Sequence, residues 1–122
     1  MRGSLSAAPV DTASCSTTNV YQAAVQFLAR SHRVLCRLPR GNATIADQLR
    51  RAALSIPVNI GEGTGKRSPK DRARFYEYSR GSAMECGALF DALRVMELVD
   101  EQTHREGKEL LVRVVSMLSK MC

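Results

Sequence analysis

The sequence predicts an all-α fold, an antiparallel up-down-up-down four-helix bundle. Three observations predict it. Apolar residues recur at three- and four-residue steps in four separate stretches. The breaks between the stretches fall on residues that stop or start helices: Pro39, the glycines from Gly61 to Gly65, and Asp100. No stretch shows the two-residue alternation of a half-buried strand, and no internal repeat is present.

The first helix is expected from about Thr18 to Leu38. Val20, Ala24, Phe27, Leu28, Ser31, Val34, Leu35 and Leu38 share one face, and Pro39 stops the helix because the residue before a proline disfavours the α region. Arg30, Arg33 and Arg37 fall together on a flank of this helix. The second helix starts near Asn42 or Thr44, both suitable caps, and carries Ile45, Leu49, Ala52, Ala53, Ile56 and Ile60 inward. Pro57 removes one backbone hydrogen bond there and predicts a kink about one turn before the glycines.

The third helix has the clearest start. Ser68 is placed to cap, Pro69 to occupy the first helical position and Asp71 to meet the helix dipole. Phe75, Tyr78, Ser82, Cys86, Leu89, Leu93 and Met96 then form the expected inner seam. Gly81, Ser82, Gly87 and Ala88 are expected to let another helix approach closely. Asp100 caps the fourth helix, whose inner face is Gly107, Leu110, Leu111, Val114, Met117, Leu118 and Met121. Short connections make sequential helices antiparallel. The bundle is expected over residues 19–122. Residues 1–18, rich in Ser, Thr, Ala and Pro, are expected to be a flexible arm.

Composition narrows the class of protein. With 122 residues, 44% hydrophobic and 25% charged, one domain with its own core is expected. No apolar run approaches the roughly 20 residues of a membrane span, and the N-terminus lacks the continuous apolar block of a secretory signal. Cysteines at 15, 36, 86 and 122 have neither metal-ligand spacing nor the look of a disulfide framework. Cys36 and Cys86 are expected on or beside apolar helix faces. These features point to a reducing, cytoplasmic setting without a membrane.

Charge is uneven. Residues 30–80 hold 12 Lys or Arg against 4 Asp or Glu, whereas residues 81–122 hold 5 against 7. Such a basic half suggests a polyanionic partner. Arg30, Arg33, Arg37, Arg50, Arg51, Lys66, Arg67, Lys70 and Arg74 are the candidates for contact with RNA or DNA backbone. The alternative is a scaffold that docks the acidic face of a protein partner. A solvated helical surface would carry similar runs.

Asn59-Ile60-Gly61-Glu62-Gly63-Thr64-Gly65-Lys66-Arg67 invites comparison with a phosphate-binding loop, but the spacing excludes it. Ile60 stands where the first glycine is required, and Arg67 stands where Ser or Thr must follow the lysine. A helix C-terminus and turn is the expected structure. His32 and His104 have no paired acid at a telling spacing, and no Glu-x-x-His pair of a di-iron bundle exists. No catalytic, metal or cofactor site is expected, and the chain is read as a non-enzyme.

Gln48 through Gly63 (QLRRAALSIPVNIGEG), Ser68 through Phe75, Arg80-Gly81-Ser82 and Glu85 carry a resemblance. From about Val20 to Leu118 the chain resembles the four-helix-bundle family first noticed as reading frames in intervening sequences of bacterial 23S rRNA genes. It is also similar to the accessory variability determinant of diversity-generating retroelements, a basic barrel that binds a reverse transcriptase and nucleic acid. The resemblance implies a homo-oligomer, a ring-like pentamer, with a reverse transcriptase as a further candidate partner. It makes Arg50, Pro57, Asn59, Gly61, Glu62, Gly63, Arg74, Gly81 and Ser82 signature positions, expected to build the bundle or its subunit contacts. Cys86-Gly87 departs from the family pattern after Glu85.

Overall fold

The computed structural model describes the backbone of residues 12–122 and the side chains of residues 17–122. Four helices follow in order: α1 (Thr12–Arg37), α2 (Ala43–Thr64), α3 (Pro69–Val95) and α4 (Glu101–Met121). Helix α1 begins six residues before the expected start. The rest of the expected arm, residues 1–11, lies outside the described residues.

Each helix packs against two neighbours, in the cyclic order α1, α2, α3, α4. Contacts run in opposite directions along the α2–α3 and α3–α4 pairs. Ser55 meets Ser82 whereas Thr64 meets Tyr76, and Arg80 meets Ser119 whereas Asp91 meets Lys108. The bundle is therefore all-α, with antiparallel neighbours.

The core is contributed by all four helices. Val20, Ala24, Phe27, Ser31 and Val34 of α1 are buried, as the spacing predicted, together with Ala23. Leu49, Ala52, Ala53, Ile56 and Ile60 of α2 are buried, and so are Leu110, Leu111, Val114 and Leu118 of α4. Phe27 and Phe90 meet at the centre, ring centroids 5.1 Å apart and tilted by 46°. Pro57 is buried within α2, which continues as α-helix to Thr64.

The first half of the α3 seam corrects the expectation. Phe75, Tyr78 and Ser82 were the predicted inner residues, but Tyr76, Ser79 and Ala83 occupy that face and Tyr78 is 51% exposed. Below them Cys86, Leu89 and Leu93 are buried as expected, joined by Phe90, while Met96 is exposed. Polar complementarity sets the choice. The Ser79 hydroxyl donates to the Ile56 carbonyl at 2.8 Å, and the Tyr76 hydroxyl lies 3.3 Å from Thr64 Oγ1. An apolar count cannot see partners that lie on another helix.

Of the residues expected to allow close approach, Ser82 does meet another helix, at Ser55, but the tightest glycine contacts sit elsewhere. Gly81 has open space around its missing side chain, and at Gly87 the nearest atoms stand 3.9 Å away or more. The intimate contacts are at Gly63 and Gly107. A Cβ on Gly63 would lie 2.8 Å from Tyr76 Cε1, and one on Gly107 only 2.3 Å from Phe90 Cε2.

The helix ends follow local chemistry. Ser68 Oγ accepts from the Asp71 amide at 3.3 Å with Pro69 at the first position, and Asp100 Oδ1 accepts from the Thr103 amide at 2.7 Å. Asn42 begins α2 without a side-chain cap; its Nδ2 donates to the Pro39 carbonyl at 3.0 Å instead. Helix α3 ends in a Schellman-type turn. Leu98 N–H donates to the Leu93 carbonyl at 2.9 Å and Glu97 N–H to the Arg94 carbonyl at 3.1 Å, with Glu97 at φ 60°. A side chain is strained there, so Glu97→Gly is expected to raise the unfolding free energy by about 0.5–1 kcal/mol in urea titration.

Candidate functional site

The candidate cations fall into groups at opposite ends of the bundle. Helix α2, of 22 residues, separates the ends by about 33 Å. Arg30, Arg33 and Arg37 of α1 lie at the end that holds the start of α4. Lys66, Arg67, Lys70 and Arg74 lie at the other, around the turn from α2 to α3. Arg50 and Arg51 stand exposed along α2 between them.

The first end sets acids beside its arginines. Arg30, Arg33 and Arg37 line one groove of about 350 Å³ with Leu98, Val99, Asp100, Thr103 and Glu106. Arg30 Nη1 donates to Glu106 Oε1 at 2.6 Å. The Asp100 carboxyl is held below the usual carboxylate range, first by hydrogen bonds from the Thr103 backbone and side chain and to a smaller extent by the charges of Arg94 and Arg37. Glu106 is lowered too, first by its hydrogen bond from Gln102 and then by Arg30. The antiparallel fold thus brings the acids of early α4 back beside the arginines of α1. The surplus that is plain along the chain is partly offset here in space, with three arginines facing two carboxylates and Arg30 paired.

The second end keeps its surplus. The last acid of α4 is Glu109, so the part of α4 that reaches this end carries Arg113 and Lys120 alone. Arg67 and Lys70 make no ion pair among the described residues, and both are exposed. Lys66 Nζ lies 3.4 Å from Glu62 and Arg74 Nη2 lies 3.6 Å from Asp71. These are exposed pairs between residues three or four apart in the chain, worth little in water and easily exchanged for another anion. Arg50 has a similar pair with Asp47 at 2.9 Å, whereas Arg51 has none among the described residues.

Arg72 serves the turn itself. Its Nη1 donates to the Lys66 carbonyl at 3.1 Å and to the Arg67 carbonyl at 2.7 Å. The guanidinium thereby satisfies two carbonyls after α2 and fixes the backbone that presents Lys66 and Arg67. Helical spacing turns Arg72 away from Lys70 and Arg74, and its partners are carbonyls of the turn before it, which no periodicity reveals.

Aromatic residues complete this end. Lys66 Nζ sits 5.2 Å and the Arg74 guanidinium carbon 5.4 Å from the Phe75 ring centroid, within cation–π range. Tyr78 meets Phe75 edge-on, centroids 5.6 Å apart at 84°. Behind them the signature residues form a polar seam between α2 and α3. Asn59 Nδ2 donates to the Ser55 carbonyl at 2.9 Å and to Ser55 Oγ at 2.8 Å, and the Ser55 and Ser82 hydroxyls are 2.7 Å apart.

Elsewhere, Asp91 Oδ1 lies 2.8 Å from His104 Nε2 and 2.7 Å from Lys108 Nζ. Hydrogen bonds from Lys108 and then His104 hold the Asp91 carboxyl below the usual range. A lowered carboxylate stabilises the fold above the carboxylate range, and that contribution is lost on acidification through its own pKa. Among the described residues no group of three His, Cys, Asp or Glu is placed to hold a metal ion. No described helix is long and apolar enough to cross a membrane.

The cysteines divide. Cys86 is buried, and burial first, then the charge of Glu85, pushes its thiol up to about 12. Cys36 is exposed, with Sγ 3.6 Å from His32 Nε2; it does not sit on the apolar face as Cys86 does. Cys122 is raised to about 11, mainly by burial and then by a hydrogen bond with Glu77. Maleimide labelling followed by mass spectrometry is expected to modify Cys36 well before Cys86, since the thiolate is the reactive form.

The fold and this end together define a helical bundle with one cationic, aromatic-lined end. The chain belongs to the 23S rRNA-intervening sequence protein family, with residues 16–120 matched. It is also similar to a crystal structure of a protein of unknown function from the S23 ribosomal protein family of Bacteroides thetaiotaomicron. That likeness has a TM-score of 0.80 at 17% identity and covers 86% of this chain and 96% of the other. None of the curated proteins compared matches the chain.

Proposed function

We propose that this bundle is a non-enzymatic, homo-oligomeric protein that binds the phosphate backbone of nucleic acid through the end formed by the α2–α3 turn. The observation that carries the reading is the uncancelled charge there. Arg67 and Lys70 are unpaired among the described residues and stand beside Lys66 and Arg74, out of reach of the α4 acids. Counterion release from neutralised phosphates supplies the affinity. Charge reversal at Arg67, Lys70 and Arg74 tests it by salt-dependent gel shift on structured RNA and duplex DNA. No retention of either by the unaltered protein at low salt would sink the proposal.

Exposed apolar groups support self-association. Leu54 and Val58 project from α2 half-exposed, and Gly61 and Gly81 stand in helices with nothing packed against them. A glycine inside a helix costs roughly 1 kcal/mol relative to alanine, and a neighbouring copy would make use of the space. A pentameric ring is the assembly that the family resemblance suggests. Light scattering on the purified chain and on Leu54→Glu reads the assembly state. The rival reading, a scaffold docking an acidic face of a partner such as a reverse transcriptase, predicts capture of that partner after nuclease treatment.

A further inference from the structure

The cationic end carries more than charge. Tyr78 is 51% exposed although it lies on a helix whose other face is packed, and its ring is held edge-on by Phe75. Phe75 in turn is flanked by Lys66 and Arg74, which pair with Glu62, four residues before in the chain, and with Asp71 of the same helix. A duplex has no use for such a ring, because its bases are stacked on one another and only sugars, phosphates and base edges face outward. An unpaired base does: every base has a π-face, and an aromatic side chain beside backbone-binding cations is the arrangement that captures it.

We infer that Tyr78, braced by Phe75, is a stacking platform for an unpaired base, so that this end takes single-stranded nucleic acid in preference to duplex. The inference rests on the proposed nucleic-acid reading and specifies its ligand. Lys66, Arg67, Lys70 and Arg74 track the phosphates on either side, while Tyr78 receives one base. Edge-on contact with Phe75 limits the rotation of the Tyr78 ring, so the platform is formed before the ligand arrives. Stacking reads no base edge, so the site accepts any sequence and does not distinguish RNA from DNA.

The test compares oligothymidylate and oligouridylate with a duplex of equal length, using the full chain. Tyr78→Ala is expected to weaken single-strand binding about tenfold, within the range for loss of one base–aromatic stack. Its duplex binding and its salt slope should match those of the unaltered protein. Tyr78→Phe should retain single-strand affinity. The chain contains no tryptophan and three tyrosines, so tyrosine emission reports directly. Single-stranded ligand should quench it, and Tyr78→Phe should abolish most of that quenching. Unchanged single-strand affinity in Tyr78→Ala, with weaker binding on Arg67→Glu, overturns the platform and leaves backbone binding standing. An unaltered protein that retains neither ligand overturns both.

Discussion

Gly107→Ala is expected to destabilise the bundle by about 2 kcal/mol, although alanine is the better helix former. The new methyl would sit 2.3 Å from Phe90 Cε2 and 2.7 Å from Cδ2. The Phe90 ring is fully buried and rests on Phe27, so it has no free direction in which to move. A 2.3 Å approach to a fixed ring puts the cost at the top of the usual overpacking range, about 3 kcal/mol, against roughly 1 kcal/mol regained in helix propensity. For a domain of this size that corresponds to a fall in Tm of about 8 °C, measurable by calorimetry. Gly81→Ala supplies the opposite sign in the isolated protomer. No atom waits for its methyl, so the propensity gain of about 1 kcal/mol stands alone. In a Phe90→Leu background the cost of Gly107→Ala should shrink, and a double-mutant cycle measures the coupling.

This contrast explains what could be read from the sequence and what could not. The four helices, their order and the caps at Ser68 and Asp100 were legible, because each depends on residues close together in the chain. So was most of the core of α1, α2 and α4. Which of two adjacent faces α3 turns inward was not legible. Phe75 and Tyr76 are both aromatic and both begin a plausible seam; Gly63, Thr64 and the Ile56 carbonyl, all on α2, decide between them. The same limit applies to the charges. Arg30, Arg33 and Arg37 were recognised as a group, but Glu106 and Asp100 arrive beside them only through folding. Spacing puts Phe75 and Tyr78 in the core, which conceals the place of Phe75 beside Lys66 and Arg74 and of Tyr78 beside Phe75. The C-terminal turn of α3 was invisible because a glutamate fills a position usually given to glycine.

The largest effect on binding is expected from combined reversal of Arg67, Lys70 and Arg74 to glutamate. Each phosphate neutralised on duplex DNA contributes about 0.9 to the slope of log affinity against log salt, and about 0.7 on a single strand. Loss of three contacts should therefore flatten the slope by two to three units, roughly, and lower affinity about 100-fold or more at low salt. All three side chains are exposed, so the fold should persist and circular dichroism should be unchanged. Reversal of Arg33 and Arg37 is the control. Their surroundings already contain Asp100 and Glu106, and the effect on the slope should be small. A larger loss from the control pair than from the turn residues would move the contact surface to the opposite end.

The return of early α4 beside late α1 has a kinetic consequence. Net positive charge gathered at one tip gives the molecule a permanent dipole along its long axis. An approaching polyanion exerts a torque on that dipole and turns the tip forward before contact, which enlarges the productive share of collisions. Added electrolyte should accordingly slow capture as well as weaken retention, and the two effects separate in stopped-flow records of association and dissociation.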